Sequence, residues 1–327
     1  MFSDLKPEKL DDFIVNHDIA QRLKNFSHSS CLNTIFYGPA FSGKRILIDA
    51  FIKHLFNLDS LQKTINTYDT KINNNHVKIT CIQSNYHFEI NLFEYGLYDK
   101  HVLCNFVKEI ASTKNISKNT YKIIVLNRLD KTSENLQLAL RRIIELNYKT
   151  CRFIMTTRNL SKINNAIISR SCLMRIPLPN KIQIINYLNF WKNKKNLDFD
   201  ANKILKYTNY NLFSINSVIL YGKFKYDNET RYYSKLFHKC LKVKNLNFIQ
   251  NIRDYIYKTH LLNIAPNEIL KDYLNYIINK KIFDNEQLIE ITKQAALNEF
   301  KCIKSNKYFF CLENFFIYIY KLLNEPI

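Results

Sequence analysis

The chain has 327 residues, enough for two or three domains around a substantial core, and a formal charge of +20 from 48 Lys and Arg against 28 Asp and Glu. Such an excess points to an acidic partner such as nucleic acid. No apolar run approaches the roughly 18 residues of a membrane span. The opening Met1-Phe-Ser-Asp-Leu-Lys-Pro-Glu lacks the apolar core of a signal peptide, so the expectation is an intracellular protein without a membrane partner. The eight cysteines are scattered without a Cys-x-x-Cys pair and read as reduced thiols, neither a disulfide framework nor a metal site. Lys, Asn, Ile, Tyr and Phe crowd the chain, as AT-rich coding produces, so part of the lysine excess reflects composition. Arginine is the cleaner signal: of eleven, seven fall between 128 and 175.

In chain order, a proline-interrupted lead-in over residues 6–24 becomes an amphipathic helix near Asp18. A strand over 33–37 then runs into Gly38-Pro39-Ala40-Phe41-Ser42-Gly43-Lys44-Arg45 and a helix over 43–56. Gly38, four residues, Gly43 and Lys44 have the spacing of a P-loop, in which backbone N–H groups and a lysine hold a polyphosphate at a helix N-terminus. Two of the chain's four glycines stand here, in a composition that has nearly excluded glycine. Position 45, where a hydroxyl would hold Mg²⁺, is Arg45.

A hairpin with a polar turn at 69–76 is expected over 60–84, a strand over 86–91 and a helix over 98–112. Lys122-Ile-Ile-Val-Leu126 has the uniform apolarity of a strand buried on both faces of a parallel sheet. The four residues after it are Asn127-Arg128-Leu129-Asp130, where P-loop enzymes carry acids that hold Mg²⁺ and activate water; only Asp130 is acidic. Thr132 or Ser133 caps the next helix, and strands over 152–157 and 173–176 complete an α/β unit of about 180 residues with a parallel sheet. Pro177-Leu-Pro179 marks a boundary. After it come three or four short helices over 181–235, and then helices over 246–262, 267–279, 284–300 and 308–323.

Several segments together resemble the small subunits of replication factor C, the clamp loader of the AAA+ class, above all the small subunit whose own ATPase site is degenerate. They are Lys6-Pro-Glu-Lys-Leu-Asp-Asp-Phe13, the phosphate loop, Ser84-Asn-Tyr-His-Phe-Glu-Ile90, Leu138-Ala-Leu-Arg-Arg-Ile-Ile-Glu145 and Ile168-Ser-Arg-Ser-Cys-Leu-Met-Arg-Ile-Pro-Leu-Pro179. The resemblance runs nearly end to end. It implies an AAA+ P-loop α/β domain over 1–179, a helical lid over 180–238 and an all-α collar for oligomerisation over 239–327. The implied partners are the other subunits of a heteropentamer, a sliding clamp and primer-template DNA, at a nuclear or viral replication site.

By the same resemblance Ser169 and Arg170 belong to the family's Ser-Arg-Cys motif, with Ser171 where cysteine is usual and Cys172 one place on. Arg170 is then an arginine finger that reaches the nucleotide of a neighbouring subunit. The phosphate-loop residues 38–45 would bind ATP or ADP. Arg45, Asn127 and Arg128, together with Phe213 where the lid would carry a sensor arginine after Asn211-Leu212, imply a subunit that does not hydrolyse ATP and has no use for Mg²⁺. Whether Arg45 and Arg128 compensate for the metal or fill the pocket and keep it empty stays open at this level. The family holds DNA at helix N-termini, which makes Thr132 and Ser133 candidates, with Lys108 and Lys114 behind them. The rival reading is an autonomous, DNA-dependent AAA+ ATPase acting as a homo-oligomer.

Overall fold

The computed structural model describes residues 5–28, 30–72, 75–113, 121–195, 204–205, 210, 212–221, 237–238, 248–261, 266–304 and 308–324. Contacts divide the chain into two compact units, Met1–Gly222 and Lys223–Ile327.

The first unit holds a seven-stranded sheet. Its strands are β1 (Thr34–Tyr37), β2 (Thr64–Ile72), β3 (Asn75–Gln83), β4 (His87–Ile90), β5 (Lys122–Leu126), β6 (Cys151–Thr157) and β7 (Cys172–Arg175), in the order β2-β3-β4-β5-β6-β1-β7. The five strands from β4 to β7 pair in parallel, as the apolar runs predict. The hairpin adds an antiparallel extension, β2 to β3 and β3 to β4, so the sheet is mixed and mostly parallel. Both hairpin strands run deep into the polar segment expected to turn: Ile72 pairs with Asn75, leaving 73–74 between them.

Alternation along the central strands explains the layers. Ile124 and Leu126 of β5, Phe153 and Met155 of β6 and Ile35 of β1 face one apolar cluster, while Ile123, Val125, Ile154 and Phe36 face another. The second cluster is closed by α1 (His17–Lys24) and α2 (Lys44–Leu55), through Leu23, Leu47, Phe51 and Leu55. The first is closed by α5 (Glu134–Leu146), through Leu136, Leu140 and Ile143, and by the helical stretch between β4 and β5. That stretch, expected as one helix, is α3 (Asp99–Val102), a π-turn over Leu103–Val107 and α4 (Lys108–Ser112), preceded by a 3-10 segment, Leu92–Tyr98. The π-turn still seats Val102, Leu103, Phe106 and Val107 in the core.

Short α6 (Asn165–Ile168) leads into β7, and α7 (Lys181–Lys195) and α8 (Leu212–Tyr221) follow it. The second unit contains α9 (Phe248–Leu261), α10 (Pro266–Lys280), α11 (Asn285–Lys304) and α12 (Tyr308–Asn324), with an aromatic core of Tyr273, Phe315 and Phe316. Ring pairs such as Phe237 on Tyr255, with centroids 4.1 Å apart, tie its helices together. Among the described residues no helix is long and apolar enough to cross a membrane.

Candidate functional site

Residues 38–45 join the carboxyl end of β1 to α2, the end of a parallel sheet at which ligands gather. Gly38 has φ 152°, and a Cβ there would lie 2.0 Å from the Ile176 carbonyl oxygen, so only glycine lets the loop pass the end of β7. Gly43 is the left-handed N-cap of α2, with φ 87°. Phe41 also takes positive φ, 57°, and Ser42 is buried.

Lys44 folds over its own loop. Its Nζ donates to the carbonyls of Gly38 at 2.8 Å and Pro39 at 2.6 Å and to Ser42 Oγ at 3.2 Å. Burial, then the nearby Arg158 guanidinium, push its pKa down to about 8, against the pull of Asp130. An arriving polyphosphate therefore competes with the loop carbonyls for this ammonium.

Arg45 leaves the loop in the direction of β4. Its Nη2 lies 2.9 Å from Oε1 of Glu89, a carboxylate only 5% exposed. The same oxygen accepts from Asn127 Nδ2 at 2.7 Å, and Lys63 Nζ, itself 2.6 Å from Asp49, approaches Oε2 at 3.5 Å. Sequence reasoning missed Glu89. The signal available to it was an acid at a core-facing position of a short strand, His87-Phe-Glu-Ile90. Neighbouring His87 is fully buried, with Nδ1 against Ser84 Oγ. Its pKa is pushed down to about 4, first by burial and then by Lys63, so it adds no charge to this cluster near neutral pH.

The acid positions after β5 carry amide and cation in the structure as in the sequence. Asn127 Oδ1 accepts from Thr156 Oγ1 at 3.2 Å. Arg128, in left-handed backbone with φ 53°, donates its N–H to Thr156 Oγ1 at 3.0 Å and lays its guanidinium 4.7 Å over the Phe93 ring. Its Nε is buried without a hydrogen-bond partner among the described residues. Asp130 accepts the Arg158 N–H at 3.3 Å. Burial and the neighbouring Arg158 and Arg128 depress the pKa values of Arg128 and Lys131 respectively, against the pull of Asp130 on both and of Glu94 on Arg128. Mg²⁺ takes oxygen ligands, whereas Arg45 and Arg128 present donors at two of its positions and Glu89 Oε1 and Asn127 Oδ1 already accept hydrogen bonds, so these residues do not fit the metal.

Ser133 caps α5: its Oγ accepts from Leu136 N at 3.2 Å. Its own N–H and hydroxyl donate to the two oxygens of buried Asp99, at 2.8 and 2.9 Å. Thr132 Oγ1 donates to Leu129 O at 2.7 Å. A carboxylate thus already sits at this helix N-terminus, and both hydroxyls expected to face DNA have partners within the chain. Of the weaker candidates, Lys108 opens α4 and Lys114 lies outside the described residues. Phe213 falls within α8, and Asn211 is outside the described residues.

Arg170 follows α6 and is 40% exposed. Its Nε pairs with Glu145 Oε1 at 2.7 Å, and its Nη1 donates to Ala166 O at 2.8 Å and Ser169 Oγ at 3.1 Å. Glu145, at the end of α5, also receives Arg141 at 3.8 Å. The guanidinium is thereby oriented at the surface before anything binds it.

No protein-family model matches the chain. A solved structure of Thermotoga maritima RuvB superposes with a TM-score of 0.41 at 12% identity, covering 84% of this chain and 80% of that one. Among curated proteins, Arabidopsis thaliana replication factor C subunit 3 is 29% identical over 346 residues, covering 97% of this chain and 96% of its own length. Replication factor C subunit 5 of Oryza sativa subsp. japonica is 30% identical over 343 residues, with the same 97% and 96% coverage. Likeness at this level over 97% of the chain places it in the family of replication factor C small subunits.

Proposed function

We propose that this chain is a non-hydrolysing subunit of a replication factor C pentamer that lends Arg170 to the nucleotide of an adjacent subunit while the sliding clamp is loaded onto primer-template DNA. The observation that carries the reading is the state of Arg170: exposed, yet aligned by Glu145, Ala166 and Ser169, which is how a residue that acts on another molecule is presented. Its own loop supports the complementary half. With Arg45, Asn127 and Arg128 in place of a hydroxyl and acids, it retains groups to bind phosphate and lacks those that activate water.

Within that assembly, residues 1–179 act as the AAA+ domain, 180–238 as the lid and 239–327 as the collar that joins the other subunits. The charge of +20 supports contact with the DNA backbone at a nuclear or viral replication site. The hydroxyl of Thr132 is assigned to closing the turn at Leu129 and that of Ser133 to capping α5, leaving the grip to surface cations.

The test is the DNA- and clamp-stimulated ATPase of the complex reconstituted with its partner subunits, comparing Arg170→Ala with Lys44→Ala. Arg170→Ala is expected to lower turnover sharply with assembly intact, and Lys44→Ala to do far less. Equal and severe losses would sink this division of roles, and ATPase activity of the isolated chain as a homo-oligomer would restore the autonomous enzyme.

A further inference from the structure

We infer that the phosphate loop takes the polyphosphate of a nucleotide without a divalent metal, with the Arg45 guanidinium as its built-in counter-cation. The inference rests on reading 38–45 as a nucleotide site and goes beyond it in specifying the ionic form of the ligand.

The argument begins with where the replaced groups meet. Arg45 stands at the loop position that would carry the metal-binding hydroxyl, and Asn127 follows β5, where the metal-binding acid belongs. In the structure the two side chains converge on one oxygen, Glu89 Oε1, at 2.9 and 2.7 Å. The metal pole of an ordinary P-loop is thus occupied by a cation, a carboxylate that holds it and an amide that completes the set.

Glu89 is the reason the arrangement is fixed. It is 5% exposed and would be costly to bury as an anion were it not surrounded by donors, whereas Arg45 is 60% exposed and keeps most of its surface for a ligand. Glu89 offsets only part of the positive charge. Lys44 on the loop side feels the Arg158 guanidinium, which adjoins Arg128 and Lys131 beyond β5 and β6, with Asp130 and Glu94 as the acids among them. Burial and mutual repulsion already lower the pKa values of Lys44 and Arg128. A nucleotide carrying Mg²⁺ would arrive with part of its negative charge already neutralised. A metal-free nucleotide brings the full negative charge that relieves this repulsion, and guanidinium is the side chain best suited to phosphate oxygens.

The alternative, in which the cations close the pocket, is a poorer account of the same geometry. Lys44 is held by two carbonyls and a hydroxyl, neutral acceptors that a phosphate outcompetes, and no carboxylate is within bonding distance of it among the described residues.

The experiment titrates the full chain with N-methylanthraniloyl-ADP, followed by fluorescence, in excess EDTA and in excess Mg²⁺, with inorganic tripolyphosphate as competitor. Wild-type affinity is expected to be tighter in EDTA, by roughly severalfold, than in excess Mg²⁺, where most of the nucleotide carries the metal. Arg45→Ser is expected to bind roughly tenfold or more weakly in EDTA than in Mg²⁺, and Arg45→Lys, which keeps a cation and controls for folding, to behave like wild type. Weakening of wild-type binding by about tenfold on chelation would overturn the inference and leave the nucleotide site standing. Arg45→Ser indistinguishable from wild type in EDTA would remove Arg45 from the role. Absence of binding in both media, with the chain folded by circular dichroism, would overturn the nucleotide site itself.

Discussion

Glu89 on β4 and Arg45 on α2, 44 residues apart in sequence, form a 2.9 Å ion pair whose acid is buried and whose base is open to solvent. The pair converts a strand residue into the foundation of the phosphate loop. Replacing Glu89 with Ala leaves Arg45, Lys63 and Asn127 Nδ2 without their shared acceptor. It should destabilise the first unit by about 2 to 3 kcal/mol, at the low end for a broken buried pair because Arg45 is largely solvated. Urea unfolding of the full chain measures this. The double change Glu89→Leu with Arg45→Met should recover part of the loss, and a double variant no better than Glu89→Ala would show that the pair's charge is not what the strand depends on.

Gly38 and Gly96 predict losses of different size and cause for the same substitution. Gly38→Ala puts a methyl group 2.0 Å from backbone oxygen that cannot yield, so the loop or the end of β7 must move; loss of several kcal/mol, seen as a collapse of soluble yield or melting temperature, is expected. Gly96→Ala meets nothing within 4 Å and bears only backbone strain, at φ 53° and ψ −114°, of about 2 to 3 kcal/mol. Similar melting temperatures for the two would contradict the close approach at Ile176.

Ser133→Ala should cost about 1 kcal/mol through the lost cap. Because its hydroxyl spends its proton on Asp99, DNA affinity of the reconstituted complex should not change. A clear fall in affinity with the complex fully assembled would return Ser133 to the DNA interface.

Glu145 is predicted to act through Arg170 and not on its own account. Glu145→Ala should lower the ATPase rate of the complex by less than Arg170→Ala does, and the double variant should fall no further than Arg170→Ala alone. Additive losses would mean that Glu145 has an independent task.

The depressed pKa of Lys44 sets a pH dependence for the free protein. Below about 8 the side chain is an ammonium and attracts phosphate; as pH rises through that value it sheds the proton, so polyphosphate affinity should decline between pH 7 and 9. An ordinary lysine would hold its charge across that range, and Lys44→Arg should flatten the profile. A wild-type titration as flat as that of the arginine variant would place the Lys44 pKa well above 8.

Much of this was legible in the chain. The strands β5 and β6 announce themselves because both faces are buried, and the loop because its glycines are where a left-handed turn and a close approach demand them. Ser133 is recognisable as a cap from its position ahead of an amphipathic run. Glu89 and Asp99 were not legible in their roles. An acid in a strand or at a helix start has no local signature of its partner; Asn127 reaches Glu89 only because β4 and β5 are neighbours, a fact of topology. The π-turn at Leu103–Val107 escaped for a related reason, since its apolar residues keep a helical rhythm while the backbone changes pitch.

Strand β7 is only four residues long, yet it joins the two parts of the candidate site. Arg170 lies two positions before its first residue, and the Ile176 carbonyl that abuts Gly38 lies directly after its last. Since β7 is locked residue for residue to β1, from Thr34 with Cys172 to Tyr37 with Arg175, it cannot slide without breaking its ladder. The loop at Gly38 and the exposed Arg170 are therefore tied to the two ends of one stiff rod, so that, on the proposed reading, a tilt at one site becomes a tilt at the other.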